Sequence, residues 1–228
     1  MKRNDAHAQP RLDPSFSYIE EYDAYYVDKE AEARGDKVIY LTFDAGYENG
    51  NVEKILDIMK AEGVTGAFFI LDNLILRNEE LVRRMRDEGH LVCNHTLRHR
   101  DMTKIQDKDV FARELSSLED LYRERIGGEM ARYYRPPEGR FNAENLKMAK
   151  ELGYKTVFWS LAYADWDNAK QPSREAAMKK ILDNTHNGAV ILLHPTSATN
   201  AAILPELIRV WRQEGYRFGT LDELTGRG

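Results

Sequence analysis

Residues 38–50 read VIYLTFDAGYENG. Val38, Ile39, Tyr40, Leu41 and Phe43 make the continuous apolar run that a strand buried on both faces requires. The run ends on a carboxylate, Asp44, followed by Ala45 and Gly46. Taken alone, an Asp in this place reads as a turn former or a helix cap. Its neighbours along the rest of the chain change that reading.

Strand-like runs recur at 65–70, 90–94, 132–134, 155–160, 189–193 and 216–218. Helical spacing lies between them. Val52, Ile55, Leu56 and Met59 recur before Gly63, and Leu81, Val82 and Met85 before Gly89. Residues 110–122 carry a third apolar stripe, Asn142 and Ser173 are candidate caps for two more helices, and the last spans 202–215. Strands alternating with helices predict βα units and a parallel sheet. Seven of them fit an α/β barrel, closed or nearly so, with a doubly wound open sheet as the alternative. Residues 1–35 are polar with scattered tyrosines and read as a tail plus a short amphipathic arm, 18–26, packed on a domain of residues 36–228.

Such folds place their chemistry at the C-terminal ends of the strands. After the first strand stands Asp44; after the third, His95 and His99; after the fourth, Arg135; after the fifth, Asp165 and Trp166; after the sixth, His194. Groups that bind metal, move protons or hold charge thus gather at one end of the fold, whereas chance would scatter them over helix faces too. His95 and His99 are spaced i, i+4, so on one helical turn both imidazoles would face one ion. The Pro136–Pro137 pair stiffens the backbone behind Arg135. His90 and His186 have no such company and read as structural, and Cys93 as a small buried thiol.

A formal net charge of −5 leaves no basic footprint for nucleic acid. No apolar run is long enough to span a bilayer. The first residues, MKRNDAHAQPRLDPSF, show no signal peptide, so either the protein is cytoplasmic or it works in the cell envelope after a leader has been removed. A monomer is expected.

TFDAG, HTLRH, RPPEG, ADW and LLHP occur here in the order and spacing of the polysaccharide deacetylases, the NodB-homology group or carbohydrate esterase family four, which the chain resembles over residues 36–224. The longer strings YLTFDAGYENG, EGHLVCNHT and TVFWSLAYADW are similar to the δ-lactam-biosynthetic branch, which acts on N-acetylmuramic acid in peptidoglycan, notably in spore cortex. The resemblance implies a distorted seven-stranded (β/α) barrel and an amide hydrolase. It implies Asp44 as the base, paired with Arg135, and His194 as the acid that protonates the leaving amine, backed by Asp165. His95 and His99 would hold a divalent metal, for which zinc is the best match, and which lowers the pKa of a bound water from about 15.7 towards ~7. Leu192 and Trp166 would wall the acetyl slot, and a backbone N–H near Glu138 would face the oxyanion. Tyr47 and Arg140 are further candidates for sugar contact, as is Arg98 for the lactyl carboxylate.

Ala45 departs from the family, where an aspartate commonly completes the metal set; the δ-lactam branch varies at this position. A methyl group ligates nothing, so the metal is expected to be weakly held. Glu48 or Asn49 could substitute as ligand, or shape the loop. Three functions remain open: an N-acetylmuramic acid deacetylase; a deacetylase of N-acetylglucosamine in peptidoglycan or chitin oligomers; and an inactive glycan-binding protein.

Overall fold

The alternation inside the first of these strands organises the molecule. In the computed structural model, which describes residues 7–226, eight strands follow in chain order: β1 (Ala24–Tyr25), β2 (Val38–Ala45), β3 (Ala67–Ile70), β4 (Leu91–Asn94), β5 (Ala131–Tyr134), β6 (Lys155–Val157), β7 (Ala189–Leu193) and β8 (Arg217–Phe218). Successive side chains of β2 point to opposite faces. Val38 and Tyr40 join Ala67, Phe69, Cys93, Tyr133, Val157 and Val190 in one buried cluster inside the curled sheet. Ile39, Leu41, Phe43 and Ala45 join a second, larger cluster beneath the helices.

The spatial order is β1-β6-β5-β4-β3-β2-β7, with β8 paired to the start of β2, and every ladder is parallel. The edges of this sheet approach one another. Past β6 the chain crosses to β7, where Leu161 bridges Ile191 and the amide of Leu192 donates to the carbonyl of Leu161 at 2.9 Å. This near-closure makes the fold the distorted (β/α) barrel rather than an open doubly wound sheet. It also explains why β6 stops at Val157, short of the expected 160: the next residues change partner.

The helices are α1 (Ala31–Arg34), α2 (Val52–Glu62), α3 (Asp72–Arg77), α4 (Glu79–Asp87), α5 (Lys108–Arg125), α6 (Ala143–Glu151), α7 (Arg174–Leu182), α8 (Ala198–Gln213) and α9 (Leu221–Leu224). Asn142 and Ser173 cap α6 and α7 through their side chains. The last long helix starts earlier than 202, because Ser197 accepts from the amide of Asn200 and sets the first turn further back. Helix α7 ends at Leu182. The short α3 went unanticipated in the sequence. The arm at 18–26 divides into a 3-10 helix, Pro14–Tyr22, and β1, which extends the sheet beside β6. Of the expected tail, residues 1–6 lie outside the described residues. No helix among the described residues is long and apolar enough to cross a membrane.

Candidate active site

The strand ends bring Asp44, Tyr47, His95, His99, Glu138, Trp166, Leu192 and His194 around one cleft of about 860 Å³. Asp44 follows Thr42 by two residues on β2, so both share one face. The guanidinium of Arg135 donates to Asp44 Oδ1 at 2.8 Å and to Thr42 Oγ1 at 2.9 Å. It also donates to the carbonyls of Val157 and Phe158, and stacks over Phe69 with its carbon 4.1 Å from the ring centroid. A register break between β4 and β5 places this residue: Cys93 pairs with Ala131 but Asn94 with Tyr134, after which the amide of Arg135 donates to the carbonyl of Asn94. Burial pushes the Asp44 pKa up, but the positive charges that can face it outweigh that and hold the carboxyl below its usual range. The largest of these is His95, protonated in the acid range where Asp44 titrates, followed by Arg135 and His194.

His95 and His99 do meet, with ring centroids 5.0 Å apart, but not on a helical turn as the spacing suggested. Thr96 and His99 adopt left-handed φ of 73° and 54°. The loop is held because the amide of Thr96 donates to Asn94 Oδ1, that of His99 to Thr96 Oγ1, and that of Leu97 to the carbonyl of Glu114. Glu138, with φ 57°, is a third left-handed residue beside the cleft. Held backbone strain of this kind is a device for aiming side chains.

The donor chemistry at His95 fits a metal ion, with the His99 ring beside it. His95 Nδ1 lies 2.8 Å from the carbonyl of Arg135, an acceptor only, so Nδ1 carries the proton and Nε2 keeps its lone pair. That Nε2 lies 3.5 Å from Asp44 Oδ2. Burial lowers the His95 pKa to about 4, so the ring is neutral and able to ligate at neutral pH. Among the described residues no three His, Cys, Asp or Glu side chains gather as a ligand group. Ala45 is fully buried in the apolar layer under the helices and does not line the cleft. Glu48 and Asn49 shape the loop: Glu48 accepts from the amides of Gly50 and Glu53, and Asn49 donates to the carbonyl of Thr196.

Across the cleft, His194 Nδ1 donates to Asp165 Oδ1 at 2.7 Å. Burial lowers the His194 pKa, but Asp165, with a lesser pull from Asp44, more than offsets it and the net shift is upward. Trp166, 63% exposed, stands with its ring 6.4 Å from that of His194. Tyr47, also exposed, accepts from Asn168 at 2.6 Å. Leu192 is buried at the cleft floor. The two arginines lie off the lining: Arg140 pairs with Glu138 and Asp101, and Arg98 with Asp72. His90 and His186 are buried away from the cleft, and Cys93 is buried inside the sheet. Sequence reading missed Thr42 and Asn200. Thr42 carried a signal, a hydroxyl two residues before Asp44 in an apolar strand; Asn200, on α8, carried none.

A family model described as Polysaccharide deacetylase matches residues 31–157. Peptidoglycan-N-acetylmuramic acid deacetylase PdaA of Bacillus subtilis (strain 168) is 39% identical over 225 residues, covering 98% of this chain and 84% of that protein. Its solved structure, described as a family 4 carbohydrate esterase, superposes with a TM-score of 0.92 at 38% identity, over 99% of this chain and 95% of that one. Peptidoglycan-N-acetylglucosamine deacetylase PgdA of Listeria monocytogenes serotype 1/2a (strain 10403S) is 32% identical over 195 residues, 86% of this chain and 40% of that protein.

Proposed function

Since this chain belongs to the polysaccharide deacetylase family, a family of hydrolases, we propose that it cleaves the acetamide of N-acetylmuramic acid in peptidoglycan, releasing acetate and leaving the amine from which a muramic δ-lactam can close. The observation that carries this reading is the pair of proton-handling couples facing one cleft, Asp44 with Arg135 and His194 with Asp165. Binding alone needs neither couple. The likeness to a muramic acid deacetylase over nearly the whole chain supports the choice of sugar.

His95 and His99 would hold a divalent ion, zinc best matching two imidazoles, with water in the remaining positions. Such an ion lowers the pKa of water and polarises a carbonyl. The chain's own residues do the rest. Asp44, kept ionised beside Arg135, takes the proton of the attacking water. His194, whose imidazolium form is favoured by its contact with Asp165, gives a proton to the departing nitrogen, since an amine leaves badly as an anion; a positioned acid of this kind contributes ~10²–10⁴-fold. Leu192 and Trp166 wall the space for the acetyl methyl, and Tyr47 and Glu138 border the room left for sugar. A substrate in peptidoglycan places the work outside the cytoplasmic membrane.

The test is incubation with peptide-stripped glycan followed by mass spectrometry of the separated sugars. Acetyl loss on muramic acid is expected. Loss on glucosamine alone would transfer the reading to that sugar, and no loss with divalent metal present would leave a binding protein.

A further inference from the structure

Asn200 stands in the first turn of α8, fully buried, in a stretch of sequence that carries no motif. Its carboxamide is fully used. Nδ2 donates to Asp165 Oδ2 at 2.6 Å and to the carbonyl of His194 at 3.0 Å, while Oδ1 accepts from the hydroxyl of Tyr163. The chemistry of the partners settles which end is nitrogen: a carboxylate and a carbonyl only accept, so the amide must turn its NH₂ towards them. The residue is itself held, because its backbone amide donates to Ser197 Oγ at 3.0 Å.

Asp165 therefore has one oxygen occupied twice. Oδ2 accepts from Asn200 and, at 2.8 Å, from the backbone amide of His194. Oδ1 keeps His194 Nδ1. The terminal torsion of an aspartate is broad and its two oxygens are equivalent, so the carboxylate needs such anchoring to offer one oxygen in one direction. We propose that Asn200 is a positioning residue for the reaction: by occupying Asp165 Oδ2 it reserves Oδ1 for Nδ1–H of His194, fixing the tautomer and the ring plane so that Nε2 is the nitrogen left for proton transfer in the cleft. The inference rests on the deacetylase reading for its role in turnover, but its geometry stands apart from any substrate.

The charged groups acting on His194 are Asp165 from the loop after β6, Asp44 from β2 and Arg135 after β5; the carboxylates favour imidazolium, while the guanidinium and burial oppose it. Loss of Asn200 frees Asp165 to rotate away, which weakens the largest favourable contribution. The experiment follows the His194 imidazole by NMR across pH in protein without substrate, its signal assigned by its absence in His194→Ala. In Asn200→Ala the His194 midpoint is expected to fall by about one pH unit, the alkaline limb of kcat to move acidward with it, and KM to stay nearly constant. Tyr163→Phe, which leaves the amide in place but unlatched, shifts the midpoint the same way by less. An unchanged midpoint in folded Asn200→Ala overturns the proposal. Should that variant fail to fold, Tyr163→Phe decides: a lowered midpoint upholds it and an unchanged one overturns it. Because the titration needs no turnover, a protein that releases no acetate would refute the deacetylase reading while leaving this result readable.

Discussion

The backbone carbonyl of Arg135 accepts from Nδ1 of His95 at 2.8 Å. One residue thus orients an imidazole with its main chain while its guanidinium, 2.8 Å from Asp44, neutralises the neighbouring carboxylate. The arrangement couples the two halves of the site through a single backbone position, itself placed by the register break between β4 and β5.

Asp44→Asn and His194→Ala are each expected to abolish acetate release while circular dichroism remains that of the folded protein. In the parent enzyme kcat/KM against pH should be bell-shaped. Its acid limb lies low because the Asp44 pKa is depressed, and its alkaline limb lies above the ordinary histidine value because that of His194 is raised. Arg135→Met leaves Asp44 buried without its cation, so the acid limb must move to higher pH; a limb that stays put would show that Asp44 does not set it. The stability signs follow. The Asp44 contribution is present above its unfolded value of about 3.9 and lost as pH falls through the folded pKa. That of His194 is fully present below about 6.5 and lost as pH rises through its folded pKa. Urea melts of the parent and His194→Ala should therefore differ more at low pH than at high.

Ala45→Asp puts a carboxylate into a fully buried apolar layer. Without metal the expected cost is on the order of 3 kcal/mol. If the new side chain reaches an ion held by His95 and His99, added zinc should raise the melting temperature of the variant more than that of the parent. Equal zinc-induced shifts in both proteins would mean that position 45 faces away from the metal in this chain.

Trp166 and Tyr47 are exposed at the cleft rim, so their removal should leave stability nearly untouched. Aromatic contacts are worth ~0.5–1.5 kcal/mol, and Trp166→Ala or Tyr47→Ala should therefore raise KM for glycan roughly two- to tenfold. A change in kcat with constant KM would instead assign these rings to the chemical step.

The strand ends were legible in the linear chain for a simple reason. Burial on both faces makes β2 and β7 continuous apolar runs, and the polar residue that stops each run, Asp44 or His194, must then stand at the mouth of the sheet. Arg135 was legible because it directly follows β5, whereas Asp165, in the loop well past the end of β6, was legible through the ADW stretch and not through a strand end. The i, i+4 spacing of His95 and His99 foretold their meeting but not its means, since left-handed Thr96 and His99 depend on a hydrogen bond donated to Asn94 Oδ1 and on one donated to the carbonyl of Glu114, far along the chain. Near-closure at Leu161 and Ile191 likewise comes from curvature accumulated over the whole sheet. Asn200 lay beyond any local rule: its value arises only where α8 brings a buried amide against Asp165, 35 residues away in sequence. Periodicity records which way a side chain faces along its own element; which distant group waits for it there is set by how the elements pack.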